Sequence, residues 1–202
     1  IDTNAAVAAD NITAGALTAT NVQPASLVAG AQGGNVTVSF TIANTLPANG
    51  KIMIVFPSTP GSGFDLSAVT AGSAFSPANI NGTLSTSVSG QTLTITRGGA
   101  AAAITAPATI DDLVIANVKN PTVSGTTGAY RIDTRTSADV VIDQDIAVAA
   151  DTVTPGALTS VNVQPAQLSS SYVGSVTVSL TTANPVPADG KILVTFGSGF
   201  AF

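Results

Sequence analysis

Between residues 35 and 44 the chain alternates strictly, with Val36, Val38, Phe40 and Ile42 apolar and Thr37, Ser39 and Thr41 polar between them. A two-residue period marks a strand with one buried face, because successive side chains leave a pleated backbone on opposite sides. The period returns over residues 83–97: Leu84 and Val88 lead into Ser89-Gly90, and Leu93 and Ile95 then alternate with Thr92, Thr94 and Thr96. That pattern predicts a hairpin. Over residues 129–136, Tyr130, Ile132 and Thr134 share one face and Arg131, Asp133 and Arg135 the other. Residues 51–56 break the rule, since Ile52, Ile54 and Phe56 on one side are matched by Met53 and Val55 on the other. A strand apolar on both faces is expected to be covered twice, here by a loop or by another subunit.

Two further strands are predicted, over 17–23, stopped by Pro24, and over 112–118. Pro47-Ala-Asn-Gly50, Asn120-Pro121 and Gly125 to Gly128 supply turns, and residues 57–74 form a long loop rich in Gly, Ser and Pro. Only the Ala-rich segment 99–104 hints at helix. Seven short strands at these spacings predict an all-β fold, an immunoglobulin-like Greek-key sandwich.

The pattern is written twice. Asn21-Val-Gln-Pro-Ala25, Val36-Thr-Val-Ser39, Ala43-Asn44, Pro47-Ala48 and Gly50-Lys51-Ile52 recur as Asn162-Val-Gln-Pro-Ala166, Val176-Thr-Val-Ser179, Ala183-Asn184, Pro187-Ala188 and Gly190-Lys191-Ile192. The offset is about 141 residues, and about two-thirds of the best-matched positions are identical. A period of this length is a domain. The expected organisation is a connector over 1–15, a complete module over 16–141, a second connector over 142–156, and the first three strands of a second, incomplete module over 157–202. That half-module would leave Val176, Val178, Leu180, Ile192, Val194 and Phe196 without an opposing sheet, so these six are the expected self-association residues. Either residues beyond Phe202 complete it, or another chain supplies strands by β-augmentation.

Composition changes the picture in two ways. Charged residues are only 8% of the chain, far below the ordinary quarter, which predicts a surface covered by neighbouring subunits or by sugar. The net charge of −5, with six scattered basic residues, provides no footprint for nucleic acid. Cys and His are both absent, which excludes disulfides, thiolate and imidazole chemistry and the common zinc sites. The Ala-rich run over 98–110 is too short to span a bilayer, and residue 1 opens neither a charged nor an apolar leader region, so any secretion signal is expected to have been removed or to lie outside this sequence.

Candidate chemistry is sparse. Asp139, Asp143, Asp145 and Asp151 cluster in sequence at the junction between the copies and are candidates for Ca²⁺, although their spacing matches no EF-hand loop and solvated edge charges explain them equally. Asn11, Asn35 and Asn81 each open an acceptor sequon for N-linked sugar, and the Thr-rich faces and Pro57-Ser-Thr-Pro60 offer hydroxyls for O-linked sugar. No other cofactor is expected. Adjacent Asp111 and Asp112 should point to opposite faces rather than form a dyad, and no His is present to activate a serine, so an enzyme is not expected.

At Gln23-Pro-Ala25, Val36 to Phe40, Ala43-Asn44, Pro47 to Ile52, Asn120-Pro121 and Gly128-Ala-Tyr130 the chain resembles the tandem immunoglobulin-like modules of very long cell-surface proteins of algae and other microbes, and the repeated sandwiches of surface-layer and fibril proteins. The resemblance implies an extracellular array or filament with copies of itself as partners, and transfers no active-site residue. An adhesin or carbohydrate-binding module using the 57–74 loop, and a spacer domain of a larger surface protein, are the alternatives.

Overall fold

A computed structural model describes residues 10–70, 72, 74–75 and 80–200. Every regular element among them is a strand, and no helix forms, the Ala-rich 99–104 segment included. The chain divides into two units, residues 1–154 and 155–202.

In the first unit the strands are β1 (Gly15–Ala16), β2 (Thr18–Pro24), β3 (Gly34–Ile42), β4 (Lys51–Val55), β5 (Ala74–Phe75), β6 (Thr83–Ser89), β7 (Thr92–Gly98), β8 (Ala108–Val118), β9 (Gly125–Thr126), β10 (Tyr130–Arg135), β11 (Val141–Val148) and β12 (Thr152–Val153). One sheet has the order β1-β11-β10-β4-β7-β6 and another β2-β3-β8-β5, while β9 and β12 pair by themselves. The apolar faces predicted from the alternation meet in a single core: Val36, Val38, Phe40 and Ile42 of β3 and Ile110, Leu113 and Ile115 of β8 join Ile52 and Ile54 of β4, Leu93 and Ile95 of β7, and Ile132 of β10.

The 57–74 loop enters this core. Phe64 stands edge-on to Phe56, with ring centroids 5.4 Å apart, and both rings pack on Tyr130 at 5.8 Å, an arrangement that suits the aromatic quadrupole. Leu66 and Val69 follow Phe64 inside. The expected double cover of β4 is not reached, because Met53 and Val55 stay half-buried, registered between Thr94 and Thr92 on one side and Asp133 and Arg131 on the other.

Two bulges in β8, where Asp112 and Asn117 take φ of 56° and 66°, reset its register against β3. The first bulge leaves Asp111 and Asp112 both exposed, where unbroken alternation would have sent them to opposite faces.

The connector reading of 142–156 is corrected by the structure. Residues 141–148 form β11, an interior strand of the larger sheet, antiparallel to β10 and parallel to β1. Its apolar signal is weak because the strand places a carboxylate, Asp143, on a buried position. Of the 1–15 connector, residues 1–9 lie outside the described residues and Gly15 already belongs to β1.

The second unit contains β13 (Thr159–Pro165) and β14 (Val176–Thr181), an antiparallel pair. Its register reproduces that of β2 with β3 position by position, from Thr159 opposite Thr181 to Pro165 opposite Val176, including the irregularity near a left-handed residue, Ser160 here and Ala19 there. The turn bond from Gly190 N–H to Pro187 C=O, 2.8 Å, repeats that from Gly50 to Pro47, 2.9 Å. The third expected strand does not form: residues 191–197 have no ladder although Ile192, Val194 and Phe196 repeat the apolar positions of β4.

Candidate functional site

Asp143 of β11 is a fully buried carboxylate. Burying a carboxylate is costly unless donors replace its water. Here the alternation of β11 turns Asp143 inward beside the residues that follow β3, and its Oδ2 accepts from the backbone N–H groups of Ala43 (3.0 Å) and Asn44 (2.9 Å) while Oδ1 accepts from Asn44 Nδ2 (2.6 Å). Its own N–H donates to Thr134 Oγ1 at 3.1 Å. Gly15 lies against this cluster, and a Cβ there would overlap Asp143 Oδ1 and Asn44 Nδ2, so only glycine lets β1 approach. From β1 onward Leu17 N–H donates to Gln144 C=O at 3.1 Å, and Thr20 Oγ1 donates to Asp145 Oδ2 at 2.7 Å. The beginning and the end of the unit are thereby held side by side.

Beyond β11 the chain stays attached. Tyr130 O–H donates to Asp151 Oδ2 at 2.7 Å, Thr127 and Asp151 exchange bonds at 2.9 Å, and Thr154 N–H donates to Leu27 C=O at 2.7 Å while Ala29 N–H donates to Thr154 C=O at 2.8 Å. Burial first, then the bond and charge of Asp151, push the Tyr130 phenol well above its ordinary value.

The four calcium candidates therefore have separate employments. Asp143 holds the β3 exit, Asp145 bonds Thr20 and Ala147 N–H, Asp151 bonds Tyr130, and Asp139 pairs with Lys51 at 2.8 Å. Among the described residues no three carboxylates come together in a group that could hold a metal. Only Asp143 and Asp145 lie in β11, while Asp139 precedes the strand and Asp151 follows it, and each carboxylate is drawn to a different partner.

Two polar clusters escaped sequence reasoning. Asp133 is fully buried between two guanidinium groups, paired with Arg131 at 2.7 Å and Arg135 at 2.6 Å, and the Arg-x-Asp-x-Arg spacing on one strand face was the available signal. Arg97 is 1% exposed and donates to Pro47 C=O (2.8 Å), Ala102 C=O (2.7 Å) and Asn81 Oδ1 (3.1 Å), with desolvation drawing its pKa down. Asn81 thus has a structural part beside its sequon. Asn11, Asn35 and Asn81 are all exposed.

The six expected self-association residues lie in the second unit, and their counterparts in the first unit are buried. Val178 and Ile192 are 39% and 63% exposed, whereas Val38 and Ile52 are fully buried. Val176, Leu180, Val194 and Phe196 are partly exposed, and Val36, Phe40, Ile54 and Phe56 are buried. Phe196 touches Phe200, ring centroids 5.4 Å apart. In comparisons with known proteins, no family model, no curated protein and no solved structure matches this chain. Among the described residues no helix is long and apolar enough to cross a membrane.

Proposed function

We propose that this chain is a structural component of an extracellular fibril or cell-surface appendage, in which immunoglobulin-like Greek-key modules repeat along the chain and associate end to end. The observation that carries this reading is the second unit: it repeats the register of β2 and β3 with its apolar face open to solvent, while the same residues of the first unit are closed off by β8 and the opposing sheet. An open face of this kind is stable only when covered, and the repeat indicates cover by strands of a further module, in the same chain or in a neighbouring one. Head-to-tail contacts between modules extend into filaments where the rotation from one to the next does not close a ring. The role is mechanical, with no catalytic residue, and the proposed coat is N-linked sugar at Asn11, Asn35 and Asn81 with O-linked sugar on exposed hydroxyls.

Electron microscopy of the purified chain over a concentration series tests the proposal. Filaments or end-to-end oligomers are expected, and the double variant Val178→Asp with Ile192→Asp should remain monomeric. Single particles at every concentration, unaffected by that variant, would overturn it. Intact mass of the protein from its native source tests the glycan coat, a mass equal to the bare polypeptide rejecting it.

A second reading, as an adhesin, is favoured by one observation. An open depression of about 430 Å³ beside the 57–74 loop is lined by Asp65, Ser67, Asn117 and Lys119 among others, a mixture of donors and acceptors suited to a sugar. Saturable binding on a glycan array, abolished by Asp65→Ala, would establish it.

A further inference from the structure

We propose that the contact between the two ends of the first unit is a tension clamp, so that the module resists being pulled along its own chain. This deepens the fibril reading, in which force on an array passes through each module from its first residue to its last.

Strand direction carries the argument. β1, two residues long, is the first strand of the unit and β11 its last long one, and they run parallel, with Gly15 registered on Asp143 and Ala16 on Gln144. Tension enters at the beginning of β1 and leaves at the far end of β11, so it acts along the strands and in opposite senses on the two partners. Bonds between strands loaded in that direction must slip together. Were the strands antiparallel neighbours with both loaded ends at one edge, the same bonds would open one at a time. The bonds that share the load here are Leu17 N–H to Gln144 C=O and Thr20 Oγ1 to Asp145 Oδ2, and β2 then runs on into its ladder with β3.

Asp143 makes the clamp more than a short ladder. Its carboxylate is fully buried and fastens β11 to the backbone of Ala43 and Asn44 just beyond β3, so β11 cannot slide without stripping a charged group of its donors before water reaches it. Gly15 seats β1 directly against that carboxylate. Behind it, the bonds of Asp151 and Thr154 hold the exit segment to the Tyr130 and Leu27 regions, so load reaches β11 along a tethered chain. The parts recur in the second unit, where Gly156, Ala183 and Asn184 repeat Gly15, Ala43 and Asn44.

Single-molecule pulling on the full chain tests the clamp, and the absence of native cysteine allows unique handles. With handles at Asp10→Cys and Pro155→Cys, force crosses the first unit along β1 and β11, and the 140 residues from Gly15 to Thr154 should release in one step of roughly 450–500 Å. With handles at Asp10→Cys and Val140→Cys, the same two strands are pulled apart from one end. The first geometry should need several-fold more force than the second. Asp143→Ala should remove most of that difference, whereas Ile95→Val, a core change away from the clamp, should lower thermal stability and leave it in place. Equal forces in the two geometries, or equal losses in the two variants, would overturn the clamp. Neither result bears on the assembly that microscopy tests, so failure of the clamp and failure of the fibril reading are distinguishable.

Discussion

Asp143 concentrates the chemistry of the fold in one side chain. Its buried carboxylate is bonded to three donors at 2.6 to 3.0 Å, so Asp143→Ala removes three charge-assisted bonds that tie β11 to the β3 exit and should cost about 2–4 kcal/mol of stability by denaturant unfolding. Asp143→Asn, which keeps an acceptor of the same shape, should lose less. Tyr130 provides a pH test. Its phenol is held above the ordinary 10.0, so the folded state keeps a proton that the unfolded chain gives up. The stabilisation is complete below pH 10 and falls as the pH rises from there toward the raised folded value, which makes melting temperature decline in strong alkali. In Tyr130→Phe that decline should flatten, at the expense of about 1 kcal/mol at neutral pH from the lost bond to Asp151. Because the junction carboxylates each have protein partners, millimolar Ca²⁺ should leave the melting temperature unchanged. None of these roles was legible from residue type: Asp143 reads in sequence as a solvated charge, and only the approach of residues 43–44 from a distant strand supplies its donors.

At the scale of elements, alternation was a dependable guide wherever one face is apolar throughout. β3, β4, β6, β7 and β10 stand within a residue or two of the positions that the pattern predicts. β11 was hidden for a physical reason, since Val141, Ile142, Asp143, Gln144 and Asp145 place polar groups on both faces, although Ile142 and Val148 still reach the core. The short strands β1, β5, β9 and β12 have two residues each, below the length at which any period can be seen. A direct consequence concerns truncation. A chain ending at residue 141 lacks β11 and should fail to give a cooperative thermal transition, whereas one ending at residue 154 should melt as sharply as the full chain.

For the molecule as a whole, the two units should differ in protection. The first has a continuous core and the second has none, so limited proteolysis should cut within residues 155–200 and leave a resistant fragment ending near residue 154. The repeat, the all-strand character and the apolar faces were in the sequence, because side-chain periodicity is local and a copied word is visible without any structure. The boundary of the folded unit was not. It falls at Thr154, inside what the repeat presents as the start of the second copy, because a module is closed by the strand that follows its last turn and not by the residue at which its sequence begins again. Whether a carboxylate ends in water or in a cage of amides, and whether two strands far apart in the chain run parallel, are matters of long-range pairing. The amino-acid order states neither, and the packed structure decides both.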